Sequence, residues 1–435
     1  MYQRHANLDQ RSSRRVQTSP KLQDSLTNGD DSKMKKRVRH CKVKVALRCS
    51  VLMITIVVLW TAIVRFSFST AEFQTSSLMA PRCLPLDTLP TFTMVTQLSQ
   101  DRLWMMEQHC ERFPHPISIA VWTNESLGEV ENQLLSLNCN LDLVRVQVLD
   151  ASDMSFDDYP VNRLRNLALQ QVETSHIVFI DVDFWSSEGL YDILTNETIT
   201  KSLMEDHKLA LVIPAFQLFR QCIQWVDCRE NNLPFMPFSL DDLSEMLRNQ
   251  RGHIFDPTNR GGHGSTLYKE WRLQEDATLL EIPCLKSNRY EPFIVVRYCR
   301  DLAPFQEAFS GYGKNKMSWM MQLVRSGYTF SQLGGAFLVH YPHLDSQSRQ
   351  RWNQAPDQLK VSRVDDKGHP LSPLIRKPNA TDSGLDWKSF KRGQIDEIFV
   401  RFRKWLQDYV PDDAKVKLCD DHQDDDSKLW VERAE

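Results

Sequence analysis

The sequence predicts an α/β fold with a mainly parallel central β-sheet that helices cover on both faces. Short segments rich in valine and isoleucine recur along the chain, and segments with helical spacing separate them. Alternating strands and helices are typical of a parallel sheet, because each crossover between parallel strands places a helix on one face. With 435 residues, 41% of them hydrophobic, the chain is long and apolar enough to bury such a core.

The individual elements follow from these patterns. Strands are predicted at residues 117–122, 143–149, 176–180, 209–213, 293–297 and 336–340. Helices are predicted at residues 127–137 and 162–173, and the apolar residues of the second helix fall on one stripe. Ligands of such sheets bind beyond the carboxyl ends of the strands, so we expect functional residues there.

The N-terminal region differs in composition from the rest of the chain. Residues 1–48 contain thirteen Lys or Arg and four Asp or Glu, although the whole chain has a net charge of -3. Residues 1–44 are polar and poor in aromatic residues, which predicts a disordered basic tail. Such a tail also suits a nucleic-acid binder, but it ends at an uncharged apolar segment between Arg48 and Arg65.

This apolar segment predicts a single N-terminal transmembrane helix at residues 45–66. Its uncharged part is slightly shorter than the usual span of about 20 residues, but the flanking arginines can extend their side chains to the membrane interfaces. The positive-inside rule then places the N terminus in the cytosol and the rest of the chain in the lumen. A cleaved signal peptide is the alternative, yet the charged region before the segment is too long for one. We therefore expect a membrane-anchored protein and no nucleic-acid partner.

Cysteines and glycosylation sequons beyond this segment indicate the secretory lumen. Eight cysteines follow it and none forms a CxxC pair, so disulfides are allowed and a zinc site is disfavoured. Spacing does not determine their pairing, and Cys222 with Cys228 is one conjecture. Sequons begin at Asn124, Asn196 and Asn379. The predicted segments are a cytosolic tail (1–44), a membrane anchor (45–66), a Ser/Thr/Pro-rich stem (67–90), a globular domain (91–415) and an acidic tail (416–435).

The strongest chemical signal is an apolar strand that ends in two aspartates, in the segment HIVFIDVD at residues 176–183. Side chains at positions i and i+2 share a face of an extended chain, so Asp181 and Asp183 could converge on one cation. Carboxylate oxygens suit Mg²⁺ or Mn²⁺, which could bridge the diphosphate of a nucleotide sugar. An ordinary turn at the strand end is the alternative for an isolated DxD.

Several segments together resemble glycosyltransferase family 49, which includes β-1,4-glucuronyltransferase and the second catalytic domain of the LARGE enzymes. In chain order they are YPVNRLRNLA (159–168), FIDVDFWSSEGL (179–190), VIPAF (212–216), GHGSTLYKEW (262–271), YEPF (290–293), FSGYGKNK (309–316) and FLVH (337–340). The resemblance implies a GT-A fold and inverting, β-linked transfer, best matched by UDP-glucuronic acid as donor. It also implies a glycan or glycoprotein acceptor and a single-pass type II protein of the Golgi membrane.

The resemblance further implies roles for particular residues. Asp181, Asp183 and His340 match the metal ligands, with His343 as the rival histidine. Arg165 and Asn166 match the nucleotide-binding segment. Gly313, Asn315 and Lys316 match a segment that could contact the donor sugar or phosphate, and Lys314 or Lys316 could neutralise a donor carboxylate. Trp271 and Tyr290 either wall the sugar pocket or fill the core.

The chain also departs from the family pattern. Residues 305–309 read FQEAF where FDERF is usual, and Glu307 is the candidate catalytic base that remains. Trp185, Ser186 and Gln217 also replace more usual residues. UDP-N-acetylglucosamine and UDP-xylose therefore stay open as donors, as does a catalytically silent Golgi protein that binds glycans. The oligomeric state, including a homodimer, is open as well.

Overall fold

The computed structural model describes residues 72–75, 80–153, 158–222, 228–354, 360–364, 370–375 and 385–420. The predicted cytosolic tail, the predicted anchor at residues 45–66 and the sequon at Asn379 lie outside these residues. Within the described ranges, no helix is both long and apolar enough to cross a membrane.

Strands and helices alternate through most of the described chain. The strands are β1 (Phe92–Ser99), β2 (Ile117–Thr123), β3 (Val144–Asp150), β4 (His176–Phe179), β5 (Phe184–Ser186), β6 (Leu209–Ile213), β7 (Ala215–Leu218), β8 (Gly252–Ile254), β9 (Leu279–Glu281), β10 (Cys284–Leu285), β11 (Phe293–Arg297), β12 (Thr329–Leu333), β13 (Leu338–His340), β14 (Lys360–Val364), β15 (Pro370–Ile375), β16 (Leu385–Asp386) and β17 (Lys417–Leu418). The helices are α1 (Met106–Arg112), α2 (Leu127–Ser136), α3 (Val161–Leu169), α4 (Leu190–Thr195), α5 (Glu197–Glu205), α6 (Arg229–Asn232), α7 (Leu240–Arg248), α8 (Arg260–His263), α9 (Tyr268–Trp271), α10 (Asn315–Arg325), α11 (Gln347–Asn353) and α12 (Trp387–Tyr409). Short 3₁₀ turns occupy Gln100–Met105 and Leu233–Phe235.

The central sheet has eight strands in the order β3-β2-β1-β4-β11-β6-β12-β9. Four of the seven pairings between these described strands are parallel, so the predicted, mainly parallel α/β sheet is confirmed. The exceptions involve β11, which runs antiparallel to both of its neighbours, and the edge strand β9. All six predicted strands are present, and both predicted helices are present as α2 and α3.

The second predicted helix ends earlier than expected, at Leu169 rather than at residue 173. The backbone N–H groups of Gln171 and Val172 bond to carbonyls three residues back, as in the tight last turn of many helices. The chain then turns into β4, whose backbone is held by β1 on one side and β11 on the other. Sheet formation therefore ends the helix.

Successive residues of the central strands point into two different cores. Val178 and Ile180 join the larger core on one face, whereas Ile177 and Phe179 join the core on the other. All four side chains are fully buried. This double burial explains why β4 is a continuous apolar run without polar alternation.

A second sheet, in the order β5-β13-β7-β8, lies beyond the carboxyl end of β4. After Asp183 the chain enters β5, which pairs antiparallel with β13 so that Phe184 lies opposite His340. The backbone N–H of Tyr341 also donates to the carbonyl of Asp183 at 2.9 Å. This register places the end of the predicted strand at residues 336–340 beside the DxD segment.

The described cysteines form four disulfides: Cys83–Cys299, Cys110–Cys139, Cys222–Cys228 and Cys284–Cys419. The conjectured pairing of Cys222 with Cys228 is confirmed. Two of the others connect the ends of the described chain to its centre, since Cys83 lies in the segment predicted as a stem and Cys419 lies next to β17.

Three of the described histidines are buried: His109, His176 and His263. Burial lowers the pKa of His109 to about 4 and the pKa values of His176 and His263 to about 3, because the charged imidazolium loses hydration. Nearby cations add to this effect, Arg297 beside His176 and Lys316 beside His263.

We expect removal of the Cys284–Cys419 disulfide to destabilise the protein more than removal of Cys222–Cys228. The two bonds close loops with sequence separations of 135 and 6 residues. Chain entropy gives about 5 kcal/mol for the long loop and about 2 kcal/mol for the short one. Urea unfolding of the double variants Cys284→Ser/Cys419→Ser and Cys222→Ser/Cys228→Ser measures both, and equal losses would contradict the prediction.

We also expect the protein to lose stability as the pH falls below the ordinary histidine pKa of about 6.5. The folded pKa values of the three histidines lie below the unfolded value, so the unfolded chain binds more protons in this range. Stability is therefore fully present above about pH 6.5 and falls by about 1.4 kcal/mol per pH unit for each histidine below it. The free energy of unfolding between about pH 6 and about pH 5 measures the slope.

The buried histidine of β4 offers a matched test of this slope. His176→Phe removes one of these titrating groups, so the slope should fall by about 1.4 kcal/mol per pH unit. His253→Gln at an exposed position is the control and should leave the slope unchanged. An unaltered slope in the His176 variant would contradict the assignment.

Candidate metal centre

A cavity of about 450 Å³ opens at the carboxyl end of β4. Its lining brings together most of the residues that the sequence predicts for the site. They are Arg165, Asp181, Asp183, Asn315, Lys316, His340 and the rival histidine His343. Gly311 and Tyr312, from the loop before α10, also line it.

Asp183, His340 and His343 form a group that could hold a metal ion. Their ligand atoms all lie within 4.8 Å of one another. The Oδ2 atom of Asp183 is 2.8 Å from Nε2 of His343 and 3.8 Å from Nε2 of His340. Both histidines thus converge on one carboxylate, because β13 pairs with β5 and the chain turns back within three residues of His340. One oxygen and two nitrogen donors suit a borderline divalent cation such as Mn²⁺.

The two histidines also set the charge of Asp183. Burial by itself would raise the pKa of this carboxyl, but hydrogen bonds from His340 and His343 outweigh it. The pKa of Asp183 therefore lies well below its ordinary value, and the group is ionised at neutral pH. An ionised carboxylate is the form that binds a cation.

His343 has a partner on its other ring nitrogen. Its Nδ1 atom lies 2.8 Å from the carbonyl oxygen of Leu344 and 2.9 Å from Nη2 of Arg102. In the contact with Asp183 the ring donates from Nε2. With a cation bound, the ring proton could lie on Nδ1 and be donated to the Leu344 carbonyl, which would leave the Nε2 lone pair for the cation. Such a hydrogen bond commonly orients a histidine that binds a metal.

Asp181 has different partners from Asp183. Its Oδ1 accepts a hydrogen bond from Nη2 of Arg165 at 2.9 Å, and its Oδ2 lies 3.6 Å from Nζ of Lys316. The side chain of Arg165 also donates to Oδ1 of Asn162 and Oδ1 of Asn315, both at 3.0 Å. The first aspartate of the DxD therefore belongs to a cluster of two cations and two amides beside the metal group.

The two cations of this cluster are unusually buried. Arg165 is 3% exposed and Lys316 is 6% exposed. Their charges lie against aromatic rings, with the guanidinium of Arg165 5.3 Å from the ring centre of Phe179 and Nζ of Lys316 3.8 Å from that of Phe293. Buried cations with one shared carboxylate suit an anionic ligand such as a diphosphate.

Lys316 is positioned by a tight loop before α10. Gly311, Gly313 and Lys314 all have positive φ angles, of 67°, 115° and 57°. A Cβ atom at Gly311 would lie 2.9 Å from Nε1 of Trp352, so this position excludes larger residues for steric as well as conformational reasons. Lys314 forms an ion pair with Asp396 of α12, whereas Lys316 faces the cavity.

Other predicted site residues lie outside the described lining of this cavity. Asn166 donates to the Phe305 carbonyl at 2.8 Å and to Oε1 of Glu307 at 2.9 Å, and Glu307 is exposed. Gly313 contributes to the loop without lining the cavity. Trp271 and Tyr290 are buried in the cores, where they bond to the Leu333 carbonyl and the Thr266 hydroxyl.

The departures from the family pattern have structural partners. The ring of Trp185 is fully buried, stacks on Tyr341 and donates to the Val182 carbonyl at 3.3 Å. Gln306 is buried against Gln74 and Gln322. The side chain of Gln217 accepts a hydrogen bond from the backbone N–H of Asp256 at 3.2 Å. These replacements alter packing around the site while the metal group stays intact.

Several residues of the lining have no assigned role in the sequence prediction, among them Arg102, His263 and Glu291. His263 and Glu291 belong to two of the quoted segments, GHGSTLYKEW and YEPF, so the resemblance contained a signal for them. Arg102 lies in an amphipathic stretch with no motif, and only its contact with His343 reveals it.

A second cavity of about 630 Å³ adjoins the first. Phe255, Asp256, Asn259 and His263 line both. The second cavity also carries several cationic side chains, Arg260, Lys269, Lys286 and Arg289. A larger ligand could therefore extend from the metal centre into the second cavity.

Comparisons with known proteins give relatives among the glycosyltransferases. Over 275 residues, the chain is 31% identical to the xylosyl- and glucuronyltransferase LARGE2s of Danio rerio, covering 62% of this chain and 34% of that protein. It is 29% identical over 257 residues to human LARGE1, covering 58% of this chain and 31% of LARGE1. The glycosyltransferase-like protein gnt14 of Dictyostelium discoideum is 31% identical over 305 residues, covering 68% of this chain and 43% of gnt14. The match thus spans about a third of the LARGE proteins.

Solved structures align more weakly. GalNAc-T7 with UDP, GalNAc and Mn²⁺ aligns with a TM-score of 0.35 and 10% identity, covering 60% of this chain and 45% of that one. A mannosyltransferase of Pyrobaculum calidifontis with GDP-Man and Mn²⁺ aligns with a TM-score of 0.31 and 12% identity, covering 63% and 62%.

The family model described as a glycosyl-transferase for dystroglycan matches residues 129–367. This range contains every segment that carries the sequence resemblance, from YPVNRLRNLA to FLVH. Because the match covers more than half of the chain, the protein belongs to glycosyltransferase family 49.

Proposed function

We propose that this protein is a metal-dependent GT-A glycosyltransferase that transfers a sugar from a UDP-sugar to a glycan or glycoprotein acceptor with inversion. The observation that carries the proposal is the convergence of Asp183, His340 and His343 beside the Asp181, Arg165 and Lys316 cluster in one cavity. A site for a divalent cation and a site for anionic oxygens thus share one wall.

Asp183, His340 and His343 would hold the cation, with Mn²⁺ favoured over Mg²⁺ by the two imidazole donors. When bound, the cation would stabilise the negative charge that develops on the departing UDP. Asp181 would then orient Arg165 and Lys316 toward the nucleotide, because it already contacts both cations. Arg165, Asn315 and Lys316 thereby keep the donor-binding role expected from the sequence.

Glucuronic acid is the donor sugar that the arrangement favours. A uronate needs a cation near its carboxylate, and Lys316 lines the cavity whereas Lys314 pairs with Asp396. The LARGE relatives are named as xylosyl- and glucuronyltransferases, so UDP-xylose stays the main alternative donor, with UDP-N-acetylglucosamine behind it.

The second cavity supplies room for the acceptor. It meets the metal cavity at Asp256, Asn259 and His263, so a sugar bound there could present its hydroxyl to the donor. The family description names dystroglycan, which makes a glycoprotein glycan the acceptor class to test.

A catalytically silent glycan-binding protein is the second candidate. The altered segment FQEAF motivates it, but Gln306 is buried against Gln74 and Gln322, and Glu307 bonds to Asn166 outside the cavity. The replaced positions therefore belong to packing rather than to the metal centre. This placement supports the active enzyme.

The Golgi lumen is the compartment we propose. Four disulfides among the described residues fit an oxidising compartment. Two of the sequons lie at exposed positions, Asn124 and Asn196. We also propose that residues 45–66 attach the protein to the membrane, with the N terminus in the cytosol.

We expect the purified protein to release UDP from one UDP-sugar in the presence of Mn²⁺, and chelation by EDTA to abolish release. A panel of UDP-glucuronic acid, UDP-xylose and UDP-N-acetylglucosamine identifies the donor by the rate of UDP release with and without acceptor glycans. Absence of turnover with every donor, despite Mn²⁺ binding, would favour the silent binder.

Asp183→Asn should weaken Mn²⁺ binding at least about tenfold and abolish turnover, because a neutral amide replaces the charged oxygen ligand without loss of volume. Isothermal titration with Mn²⁺ and the UDP-release assay measure the two effects. Asp142→Asn, the same change at an exposed position, is the control and should behave as the unmodified protein. Full activity of the Asp183 variant would refute the metal site.

A further inference from the structure

Glu291 is a carboxylate of the metal cavity that the proposed metal group and cation cluster leave without a role. It lines the cavity together with Asp181, Asp183 and Lys316. It lies two residues before the start of β11, which runs antiparallel to β4. The start of an antiparallel strand lies beside the end of its neighbour, so the fold places Glu291 next to the DxD segment.

The position of Glu291 is held by backbone contacts. Its N–H donates to the Gly262 carbonyl at 2.8 Å, and its carboxylate accepts a hydrogen bond from the Met317 backbone N–H near the start of α10. Glu291 therefore connects the GHGSTLYKEW segment, which lines the second cavity, to the helix that carries Lys316. The first contact fixes the backbone of Glu291 and the second fixes its carboxylate, as a positioned proton acceptor requires.

The surroundings of Glu291 also suit proton transfer. Burial raises the pKa of this carboxyl, and the opposing effects of Lys316 and Arg165 do not cancel it. A carboxylate with a raised pKa is a stronger base than an exposed one. By contrast, the exposed carboxylate of Glu307 bonds to Asn166 outside the lining of the metal cavity.

On the basis of the proposed function, we infer that Glu291 is the general base of the transfer reaction. In this step the carboxylate of Glu291 takes the proton of the acceptor hydroxyl. The acceptor oxygen forms a bond to the anomeric carbon, and the bond from that carbon to the β-phosphate oxygen of UDP breaks. UDP leaves with the electron pair of that bond, and Glu291 returns its proton to solvent after the product leaves.

The alternative role of Glu291 is purely structural, as an acceptor for the Met317 N–H and a counter-charge for Lys316. Glu291→Gln keeps an oxygen that can accept that hydrogen bond but removes the proton acceptor and the counter-charge. Loss of the counter-charge would change the binding of the UDP-sugar, whereas loss of the base would lower kcat with binding retained. We expect E291Q to bind Mn²⁺ and the UDP-sugar within about threefold of the unmodified protein and to lose about 100-fold or more in kcat. E281Q, the same change at an exposed position of β9, is the control and should retain activity.

A nucleophile without a proton provides a second readout. Azide needs no base, so the smaller Glu291→Ala variant should form a glycosyl azide and UDP from the UDP-sugar when azide is added, which mass spectrometry detects. D183N should form none, since UDP departure is impaired there. A merely structural role of Glu291 would not produce this azide-dependent rescue.

The outcomes separate this inference from the proposed function. If the unmodified protein turns over no UDP-sugar, the proposed function fails before Glu291 is tested. If the unmodified protein is active, three results would each contradict the assignment of Glu291 as the general base. They are retention of kcat by E291Q, loss of UDP-sugar binding by E291Q and absence of the azide product from E291A.

If the glutamine and alanine variants fail to fold, the Glu291→Asp variant tests whether Glu291 acts as the general base. This variant keeps a carboxylate and should retain measurable kcat with an unchanged KM for the UDP-sugar. A folded aspartate variant with an altered KM and an unaltered kcat would assign Glu291 to donor binding instead.

Discussion

The antiparallel pairing of β5 with β13 is the contact on which the candidate metal centre depends. It sets Phe184 opposite His340, and these residues lie more than 150 positions apart in the chain. The same pairing lets the Tyr341 N–H bond to the Asp183 carbonyl, so backbone hydrogen bonds fix the distance between an acidic and a histidine ligand. Side chains then need only small adjustments to meet a cation. The second, smaller sheet therefore positions the site as directly as the central sheet does.

Charge balance is the second constraint on this cavity. Asp181 contacts both Arg165 and Lys316, whereas Asp183 contacts two histidines. The two aspartates of the DxD therefore interact with different kinds of group. The side chains of Arg165 and Lys316 are too buried for water to compensate their charges fully. The Glu291 carboxylate, which interacts with both cations, and an anionic diphosphate would together supply negative charge. The site is thus arranged for a cation and an anion at once, which is the combination found in a metal-bound sugar nucleotide.

The residues that depart from the family pattern pack or form hydrogen bonds around the site, and they do not belong to the group of Asp183, His340 and His343. Trp185 stacks on Tyr341 beside β13, and Gln306 bonds to Gln74 and Gln322 under the C-terminal helix α12. The loop before α10 is held from the same side, because Lys314 pairs with Asp396 of that helix. Gln74 thus contacts the altered segment at Gln306, and Asp396 of α12 contacts the loop that precedes Lys316. Trp185 and Gln306 differ from the family pattern, while the group of Asp183, His340 and His343 is present.

By itself, the sequence determined the α/β class, the six predicted strands, the aspartates of the DxD and the family, because continuous apolar runs and motifs are local properties. It did not predict β1, although this strand lies at the centre of the sheet, since its buried threonine, glutamine and serine residues hide the apolar pattern. The resemblance had pointed to His340 with His343 as its rival, but the contact of both histidines with Asp183, the different partners of Asp181 and the place of Glu291 were decided only by the tertiary structure. Strand register and antiparallel neighbours bring these distant side chains together, and no spacing along the chain encodes such contacts.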